Sequence, residues 1–275
     1  MERRMRAATF DRMTAFDPRA YWEQRLERSS GLEGVGFVGL GQSFNAWMYR
    51  VRRRVFLRTV REHMTDPRQA TVLDVGSGTG VYLRCWQELG VVRATGTDIT
   101  ATAVERLKKD MPGTDIFRMD ITAGDPRCDG AFDAVSCMDV LFHILDDDLL
   151  QLALINLRKA LRPGGVLFIS ENFLHQLPRT DRHFTERTLV FYTKALDDAG
   201  LRIVTRKPMF HLLNQPMDSK SAAMRWWWRT VERTAGTSYM LAGLLAAIVF
   251  PLELLLVRFR REGVSTEIMV CKAKG

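Results

Sequence analysis

Three closely spaced glycines and one acid further along the chain are the residues whose types and spacing first suggest chemistry. Gly76, Gly78 and Gly80 follow a short apolar segment, and a helix begins near Tyr82. Glycines let the backbone turn sharply and let a ligand approach the main chain, and the start of a helix offers unpaired N–H groups. Asp98 ends a second apolar segment, where a carboxylate can accept hydrogen bonds from both hydroxyls of a ribose. This spacing predicts a nucleotide-type ligand between the glycines and the acid.

Alternating apolar and amphipathic segments predict the elements that position this corner. Short apolar runs bounded by turn residues indicate strands, and apolar residues at steps of three and four indicate helices. Their alternation predicts an α/β fold with a doubly wound, mostly parallel sheet, whose carboxyl edge holds the corner. The predicted strands are 71–75, 91–98, 115–120, 132–137, 166–170, 201–210 and 265–273, and the predicted helices are 18–29, 43–64, 82–90, 101–110, 149–161 and 185–199.

The chain divides by composition into a core with attachments at both ends. Residues 1–66 are interpreted as an N-terminal helical cap. Within the cap, 31–41 is too rich in glycine for a stable helix and is predicted to be a mobile loop. The core spans 67–212, a hydrophobic insertion spans 213–261, and 262–275 returns as the last strand of the sheet.

Composition and charge narrow the class of protein without naming its function. With 275 residues and 46% hydrophobic content, the chain can bury one large core. Its four cysteines have neither metal-ligand nor disulfide spacing, which predicts no metal site and a reducing, cytoplasmic location. The net charge is +8, and the arginines that crowd the helix at 43–64 are interpreted as a solvated face, with contact to an anionic substrate or lipid head groups as the alternative. No recognisable nucleic-acid module is present, so no nucleic-acid partner is expected.

Four pieces of sequence occur in a characteristic order. LDVGSGTG at 73–80 comes first, and Asp98 ends the second predicted strand. Asp120 and Ile121 follow the third strand, and FDAVSCMDVLFHI at 132–144 precedes a turn, RPGG. In this order the pieces resemble the motifs of class I S-adenosylmethionine-dependent methyltransferases, most closely the bacterial type that acts on small molecules. The resemblance implies a Rossmann-like, seven-stranded, mostly parallel sheet, to which the chain adds its N-terminal helical cap and a hydrophobic helical insertion before the last strand.

The resemblance also implies S-adenosylmethionine as the cofactor. Asp98 is expected to accept hydrogen bonds from the ribose and Asp120 from the adenine amino group, while the backbone of Met138 lies beside the amino-acid end. The alternative role for each acid is that of a helix cap or a surface charge. The residues implied to bind the cofactor are Asp74, Gly76, Ser77, Gly78, Asp98, Ile99, Asp120, Ile121 and Met138.

The acceptor side is less defined by the sequence. His143, just past the fourth strand, is a candidate general base or substrate contact, and it is equally a candidate structural residue at a helix start. By the same resemblance Tyr21 and Trp22 are candidates to close over the cofactor, and packing is the favoured interpretation of both. The sequence after the fourth strand is CMDV, without the Asn/Asp-Pro-Pro-Tyr/Phe of amino-group methylation or the Pro-Cys of cytosine C5 chemistry, so both subclasses are disfavoured.

The insertion contains a nearly continuous apolar run. Residues 239–257 approach the length that spans a bilayer, interrupted by Pro251 and Glu253. If this run crossed the membrane once, the last β-strand would lie on the opposite side from the sheet that it completes. The predicted sheet therefore argues against a single transmembrane span. The favoured interpretation is a hydrophobic lid that forms the acceptor pocket and touches membrane. A re-entrant hairpin, an interfacial helix, a buried core helix and a dimer interface are the alternatives, with peripheral membrane contact assigned to 226–258.

The sequence therefore predicts a methyltransferase that acts on a small, apolar or lipid-linked acceptor, with oxygen as the target atom. One alternative is a basic RNA- or membrane-binding protein with a vestigial cofactor fold. The interpretation as a nucleotide-dependent oxidoreductase has still less support, because the glycine spacing is GxGxG rather than GxGxxG and no Tyr-x-x-x-Lys occurs.

Overall fold

A seven-stranded sheet forms the centre of the protein, and a two-stranded hairpin lies outside it. The computed structural model describes residues 16–29 and 31–274. The strands are β1 (Thr71–Val75), β2 (Arg93–Asp98), β3 (Asp115–Arg118), β4 (Phe132–Met138), β5 (Leu161–Glu171), β6 (Arg179–Asp181), β7 (Phe184–Glu186), β8 (Leu201–Pro208) and β9 (Glu267–Ala273). The sheet order is β3-β2-β1-β4-β5-β9-β8, and β9 runs antiparallel to both of its neighbours. The predicted α/β fold with a mostly parallel seven-stranded sheet is confirmed.

Helices cover both faces of this sheet. They are α1 (Pro18–Arg28), α2 (Leu32–Val35), α3 (Gly41–His63), α4 (Val81–Glu88), α5 (Ala101–Asp110), α6 (Asp147–Ala160), α7 (Leu189–Asp198), α8 (Ala222–Thr237) and α9 (Tyr239–Phe259). One apolar core joins the sheet to α3, α4, α5, α8 and α9, and a second joins its other face to α6 and α7. Because successive strand residues point to opposite faces, Val72 enters the first core and Leu73 the second.

Aromatic side chains dominate the first core. Trp86, Phe56 and Phe168 are fully buried, and the ring centroids of Trp86 and Phe56 lie 5.2 Å apart in an edge-on contact. The indole N–H of Trp86 donates to Ser136 Oγ at 3.0 Å, so its one polar group is satisfied inside the core. Burying each such side chain contributes on the order of 2–3 kcal/mol, which fixes α3 and α4 against the sheet.

The predicted loop at 31–41 is wrong, because this segment contains α2 and a 3₁₀ turn at Val38–Leu40. The side chain of Asn45 holds the backbone of this segment in place. Its side-chain oxygen accepts the Phe37 N–H at 2.9 Å, and its amide donates to the carbonyls of Phe37 at 2.7 Å and Gly41 at 2.9 Å. A single buried amide thus ties the glycine-rich turn to α3, and helix propensity alone does not reveal that tertiary contact.

The predicted helix at 185–199 begins too early, because α7 starts at Leu189 and the preceding residues form β7. Thr188 caps the helix by accepting the Phe191 N–H at 3.2 Å. Arg187, immediately before the cap, is buried and donates to the carbonyls of Ile144 and Leu145. These contacts hold the segment extended and delay the helix.

The insertion forms a helical hairpin, α8 and α9, which packs along α3. Gly243 of α9 lies against Ser43, where a Cβ on the glycine would come within 2.5 Å of the serine Cβ. The rings of Trp47 and Phe250 pack with centroids 4.9 Å apart. After α9 the chain returns as β9 between β5 and β8, so both ends of the hairpin belong to the same body.

Glu253 is the one acidic residue of α9, and it is fully buried. Its carboxylate accepts the backbone N–H groups of His211 and Leu212, both at 2.7 Å, and of Leu213 at 3.4 Å. A buried charge needs such partners, and these three tie α9 to the segment that follows β8.

We expect Glu253→Ala to lower the free energy of unfolding by roughly 2–4 kcal/mol, because the variant leaves buried N–H groups without an acceptor. Glu105→Ala, at an exposed position on α5, is the control and should change stability by less than about 0.5 kcal/mol. Urea denaturation of both variants provides the measurement. Equal stabilities would contradict an anchoring role for Glu253.

Candidate active site

A cleft of about 1370 Å³ opens at the carboxyl ends of β1, β2 and β4. The parallel register pairs Val75 at the end of β1 with Thr97 on one side and Cys137 on the other, so the three strands end together. The cleft exceeds the roughly 300–1,000 Å³ of an ordinary ligand pocket, which leaves room for two molecules side by side.

The glycine corner forms one wall of the cleft. Gly76 has φ 70°, and a Cβ there would come within 2.3 Å of Val140 Cγ2, so only glycine fits. The Gly78 N–H donates to Asp98 Oδ2 at 2.9 Å. Asp98 Oδ1 accepts the N–H and hydroxyl of Thr100 at 2.9 and 2.8 Å. Burial raises the pKa of Asp98, while these three donors favour its ionised form and offset part of that shift.

Nearly all the residues predicted to bind a cofactor meet in this cleft. Gly76, Ser77, Gly78, Asp98, Ile99, Asp120, Ile121 and Met138 all line it. They come from the ends of β1, β2, β3 and β4 and from the turns that follow these strands. The carboxylate of Asp120 is exposed and accepts the N–H and hydroxyl of Thr122, so this acid also closes a turn.

Asp74 lies behind the glycine corner and outside the cleft lining. It is 1% exposed, and its Oδ1 accepts the Ser136 hydroxyl at 2.5 Å. Ser136 in turn accepts the indole N–H of Trp86, which links the acid to the aromatic core. Burial raises the pKa of Asp74 to about 7, and the nearby charge of Asp98 acts in the same direction. The structure therefore places Asp74 as a support beneath the corner.

An aromatic wall formed by Tyr21, Trp22, His143 and His183 also lines the cleft. The rings of Trp22 and His143 meet edge-on with centroids 4.7 Å apart, and those of Tyr21 and His183 stack at 5.2 Å. Helix α1, which supplies Tyr21 and Trp22, is held by Glu23, whose carboxylate accepts two backbone N–H groups at the start of α5 at 2.9 and 2.7 Å. The N-terminal helix thus covers the cleft.

His143 has a defined tautomer. Its Nδ1 lies 2.8 Å from the carbonyl oxygen of His183, and because a carbonyl can only accept, Nδ1 carries the proton. The lone pair is therefore on Nε2. Burial lowers the pKa of His143 to about 3, so the imidazole is neutral at physiological pH. The turn that carries His143 is fixed by buried Glu171, which accepts the N–H groups of Leu141 and Phe142 at 2.9 and 3.3 Å.

Sequence reasoning missed an ion pair in the cleft, formed by Arg52 of α3 and Asp139 after β4. Asp139 has φ 58°, a left-handed conformation that is uncommon for a residue with a side chain, and its Oδ1 accepts the Ser170 hydroxyl at 3.0 Å. The guanidinium of Arg52 lies 4.9 Å from the centroid of the Phe210 ring. Arg52 is only 9% exposed, so the interpretation of the arginines on this helix as a solvated face is wrong for this residue. The sequence offered one signal that Asp139 belongs to the cleft: it directly follows Met138 in the fourth-strand motif.

Comparison with known proteins agrees with this geometry. A family model described as a methyltransferase domain matches residues 72–165, which include the glycine corner, Asp98 and His143. Residues 72–165 thus match a methyltransferase domain, in agreement with the resemblance to the class I, S-adenosylmethionine-dependent methyltransferases and with S-adenosylmethionine as the cofactor.

Curated relatives match this chain over part of their length. A ribosomal protein L11 methyltransferase of Clostridium botulinum (strain Alaska E43 / Type E3) is 27% identical over 187 residues, covering 66% of this chain and 52% of the relative. A ubiquinone biosynthesis O-methyltransferase of Xanthomonas axonopodis pv. citri (strain 306) is 34% identical over 109 residues, covering 38% of this chain and 44% of the relative. The chain thus spans about half or less of the length of these relatives.

Solved structures share the fold at low sequence identity. A Burkholderia thailandensis 1,6-didemethyltoxoflavin-N1-methyltransferase, solved with its substrate and S-adenosylhomocysteine, has a TM-score of 0.53 at 16% identity, over 82% of this chain and 79% of that chain. The [4+2]-cyclase SpnF has a TM-score of 0.51 at 18% identity, over 80% of each chain. Since one fold serves both a methyltransferase and a cyclase, the reaction has to be argued from the site.

We expect Asp74→Asn to flatten the dependence of stability on pH. The pKa of Asp74 rises from an ordinary 3.8 to about 7 on folding, so its contribution is fully present below about pH 4 and is lost as the pH rises to about 7. The unfolding free energy of the wild type relative to the variant should therefore fall by roughly 2–4 kcal/mol across this window. Urea denaturation at a series of pH values measures this, with exposed Asp110→Asn as the control. Parallel profiles for wild type and Asp74→Asn would contradict the assignment.

Proposed function

We propose that this protein transfers a methyl group from S-adenosylmethionine to an oxygen atom of a small, apolar or lipid-linked acceptor. The observation that supports it best is the pairing of two walls in one cleft. The glycine corner with Asp98 suits a nucleoside, and the aromatic wall of the same cleft contains an unprotonated nitrogen, Nε2 of His143.

The residues of the corner fit the proposed cofactor. Gly76 leaves space that any side chain would fill. The carboxylate of Asp98 already accepts three hydrogen bonds from the chain, so about one lone-pair site, on Oδ2, is left for a ribose hydroxyl. Ile99 and Ile121 offer apolar surface for an adenine ring, and the carboxylate of Asp120 is accessible to its amino group. The bound cofactor would supply a methyl group already activated on a sulfonium, so the protein has mainly to align donor and acceptor in a dry site.

The acceptor wall favours a hydroxyl carried on an aromatic ring. Tyr21, Trp22 and the two histidines give flat surfaces against which a ring can stack. Nε2 of His143 can accept the hydroxyl hydrogen bond at any physiological pH. Its low pKa makes it a weak base, which suits orienting and polarising a phenolic hydroxyl better than ionising an aliphatic alcohol. The relative that methylates oxygen in ubiquinone biosynthesis supports the same target atom.

The proposal places the enzyme in the cytoplasm, where its four buried, free cysteines suit a reducing environment. A lipid-linked acceptor would reside in a membrane, so the proposal includes peripheral contact between 226–258 and a lipid surface. No feature of the described residues favours a vestigial cofactor fold or an oxidoreductase over methyl transfer.

We expect the wild type to bind S-adenosylhomocysteine with micromolar affinity in a calorimetric titration. Asp98→Ala should weaken binding by roughly tenfold or more, because a hydrogen bond to a charged acceptor is lost and the N–H groups of Gly78 and Thr100 lose the partner that shapes the corner. Asp115→Ala, at the exposed start of β3, is the control and should bind like the wild type. Thermal unfolding without ligand checks that both variants are folded. A folded wild type that does not bind would refute the proposed cofactor.

We expect His143→Gln to lower the turnover of a phenolic acceptor by roughly a hundredfold while leaving the affinity for S-adenosylhomocysteine unchanged. The wild-type rate should show no inflection near pH 6.5, since the pKa of His143 is about 3. Transfer of a radiolabelled methyl group to a panel of apolar phenols gives the rates. His175→Gln is the matched control, because His175 is bound to Asp218 outside the cleft. An inflection near pH 6.5 that His143→Gln abolishes would contradict the assigned protonation state.

A further inference from the structure

An uninterrupted apolar stripe runs along the exposed side of α9. Its residues recur at steps of three and four, so they share one helix face over about 27 Å at 1.5 Å per residue. All are large side chains that are 46% or more exposed. The stripe consists of Leu241, Leu244, Ile248, Leu252, Leu255 and Phe259.

This stripe is unlike the exposed face of an ordinary surface helix, which carries polar residues. Only 28% of the most apolar window of α9 is buried, so the helix is not a core element. Its one acid, Glu253, points into the protein and is bound to backbone N–H groups. An exposed apolar patch of this length is a signature of an interaction surface.

Two arginines of α3 lie beside α9. Arg50 lies 4.0 Å from the centroid of the Trp47 ring, and Arg54 lies 5.3 Å from that of Phe250. Trp47 and Phe250 form the contact between α3 and α9, so both guanidinium groups lie beside the apolar helix. Further exposed arginines lie on α8, at the end of α9 and directly after α9, namely Arg225, Arg229, Arg233, Arg258, Arg260 and Arg261.

We propose that α9 docks this protein on an anionic lipid bilayer, with the helix parallel to the membrane surface. The apolar side chains of the stripe would insert at the boundary between the lipid head groups and the acyl chains, and the neighbouring arginines would bind lipid phosphates. Trp226 of α8 is 65% exposed and is of the type that favours the head-group level. The helix lies on the membrane and does not cross it, because Gly243 near its start packs against Ser43, and Glu253 and β9 tie its later part to the same body.

A second copy of this chain fits the stripe less well. A two-fold contact would place the same surface on both partners, so the arginines beside one stripe would meet those beside the other. A lipid surface of opposite charge removes this repulsion and adds roughly 1 kcal/mol of attraction for each basic residue near it.

The stripe and the cleft lie on either side of α3. If the proposed function is correct, docking would therefore bring a membrane close to the active site. Helix α3 separates the two, with Asn45 and Met48 lining the cleft and Trp47 packing on α9. Phe37 on the cleft lining packs against Trp228 of α8, with ring centroids 5.9 Å apart. A lipid-linked acceptor in the bilayer would therefore lie close to the mouth of the active site.

Vesicle flotation of the full chain tests the docking. We expect the protein to float with vesicles containing roughly one third phosphatidylglycerol and to partition at least about tenfold less onto pure phosphatidylcholine. Binding should fall steeply at about 0.5 M sodium chloride, where the Debye length is roughly 4 Å. Equal binding to both lipids would overturn the assignment of an anionic surface.

A matched pair of variants tests the stripe itself. Ile248→Glu should weaken partitioning at least about tenfold, because a carboxylate opposes both the apolar boundary and the anionic lipid. Val190→Glu on α7 is the control, since its side chain is 79% exposed against 76% for Ile248, and it should bind like the wild type. Titration with S-adenosylhomocysteine shows that each variant is folded and separates a failure of docking from a failure of the proposed activity.

Any of three outcomes would overturn the proposal. The first is a folded wild type that floats with neither lipid, and the second is an Ile248→Glu variant that floats as the wild type does. The third is a wild-type dimer in sedimentation that Ile248→Glu converts to a monomer without any change in vesicle binding, which would assign the stripe to self-association.

Discussion

The parallel register of β1 with β2 and β4 is the constraint on which the site depends. Because Val75, Thr97 and Cys137 lie side by side, the chain must leave all three strands at one edge. The turns that follow then surround a shared space, and the Gly78 N–H reaches Asp98 across it. A shift of one residue in either pairing would turn the side chains of a strand to the opposite face and separate these groups.

Buried carboxylates hold the loops around that edge. Asp98 accepts N–H groups from Gly78 and Thr100, Glu171 accepts those of the turn before His143, and Glu253 accepts those of the segment after β8. Burial raises the pKa of all three acids, so each is costly on its own. The backbone donors offset the cost and give each loop one geometry, as expected where a site must be preorganised.

Helix α3 connects the two surfaces of functional interest. One side carries Asn45, Met48 and Arg52 toward the cleft, and another carries Trp47 toward α9. Its arginines consequently have different environments, with Arg52 paired to Asp139 in the cleft and Arg54 beside the exposed apolar helix. One helix thereby contributes residues to both the cleft and the contact with α9, because successive residues point about 100° apart around its axis.

The sequence by itself determined the elements of the central sheet and the corner formed by Gly76, Gly78 and Asp98. Both depend on local signals, namely apolar periodicity, glycines that adopt positive φ and the spacing between strand ends. The tertiary structure alone decided that Asp74 lies behind the corner, that Arg52 pairs with Asp139, that Asn45 orders 31–41 and that α9 leaves one face exposed. Each of these depends on a contact between distant segments, and burial and hydrogen-bond partners follow from three-dimensional packing that no local pattern encodes.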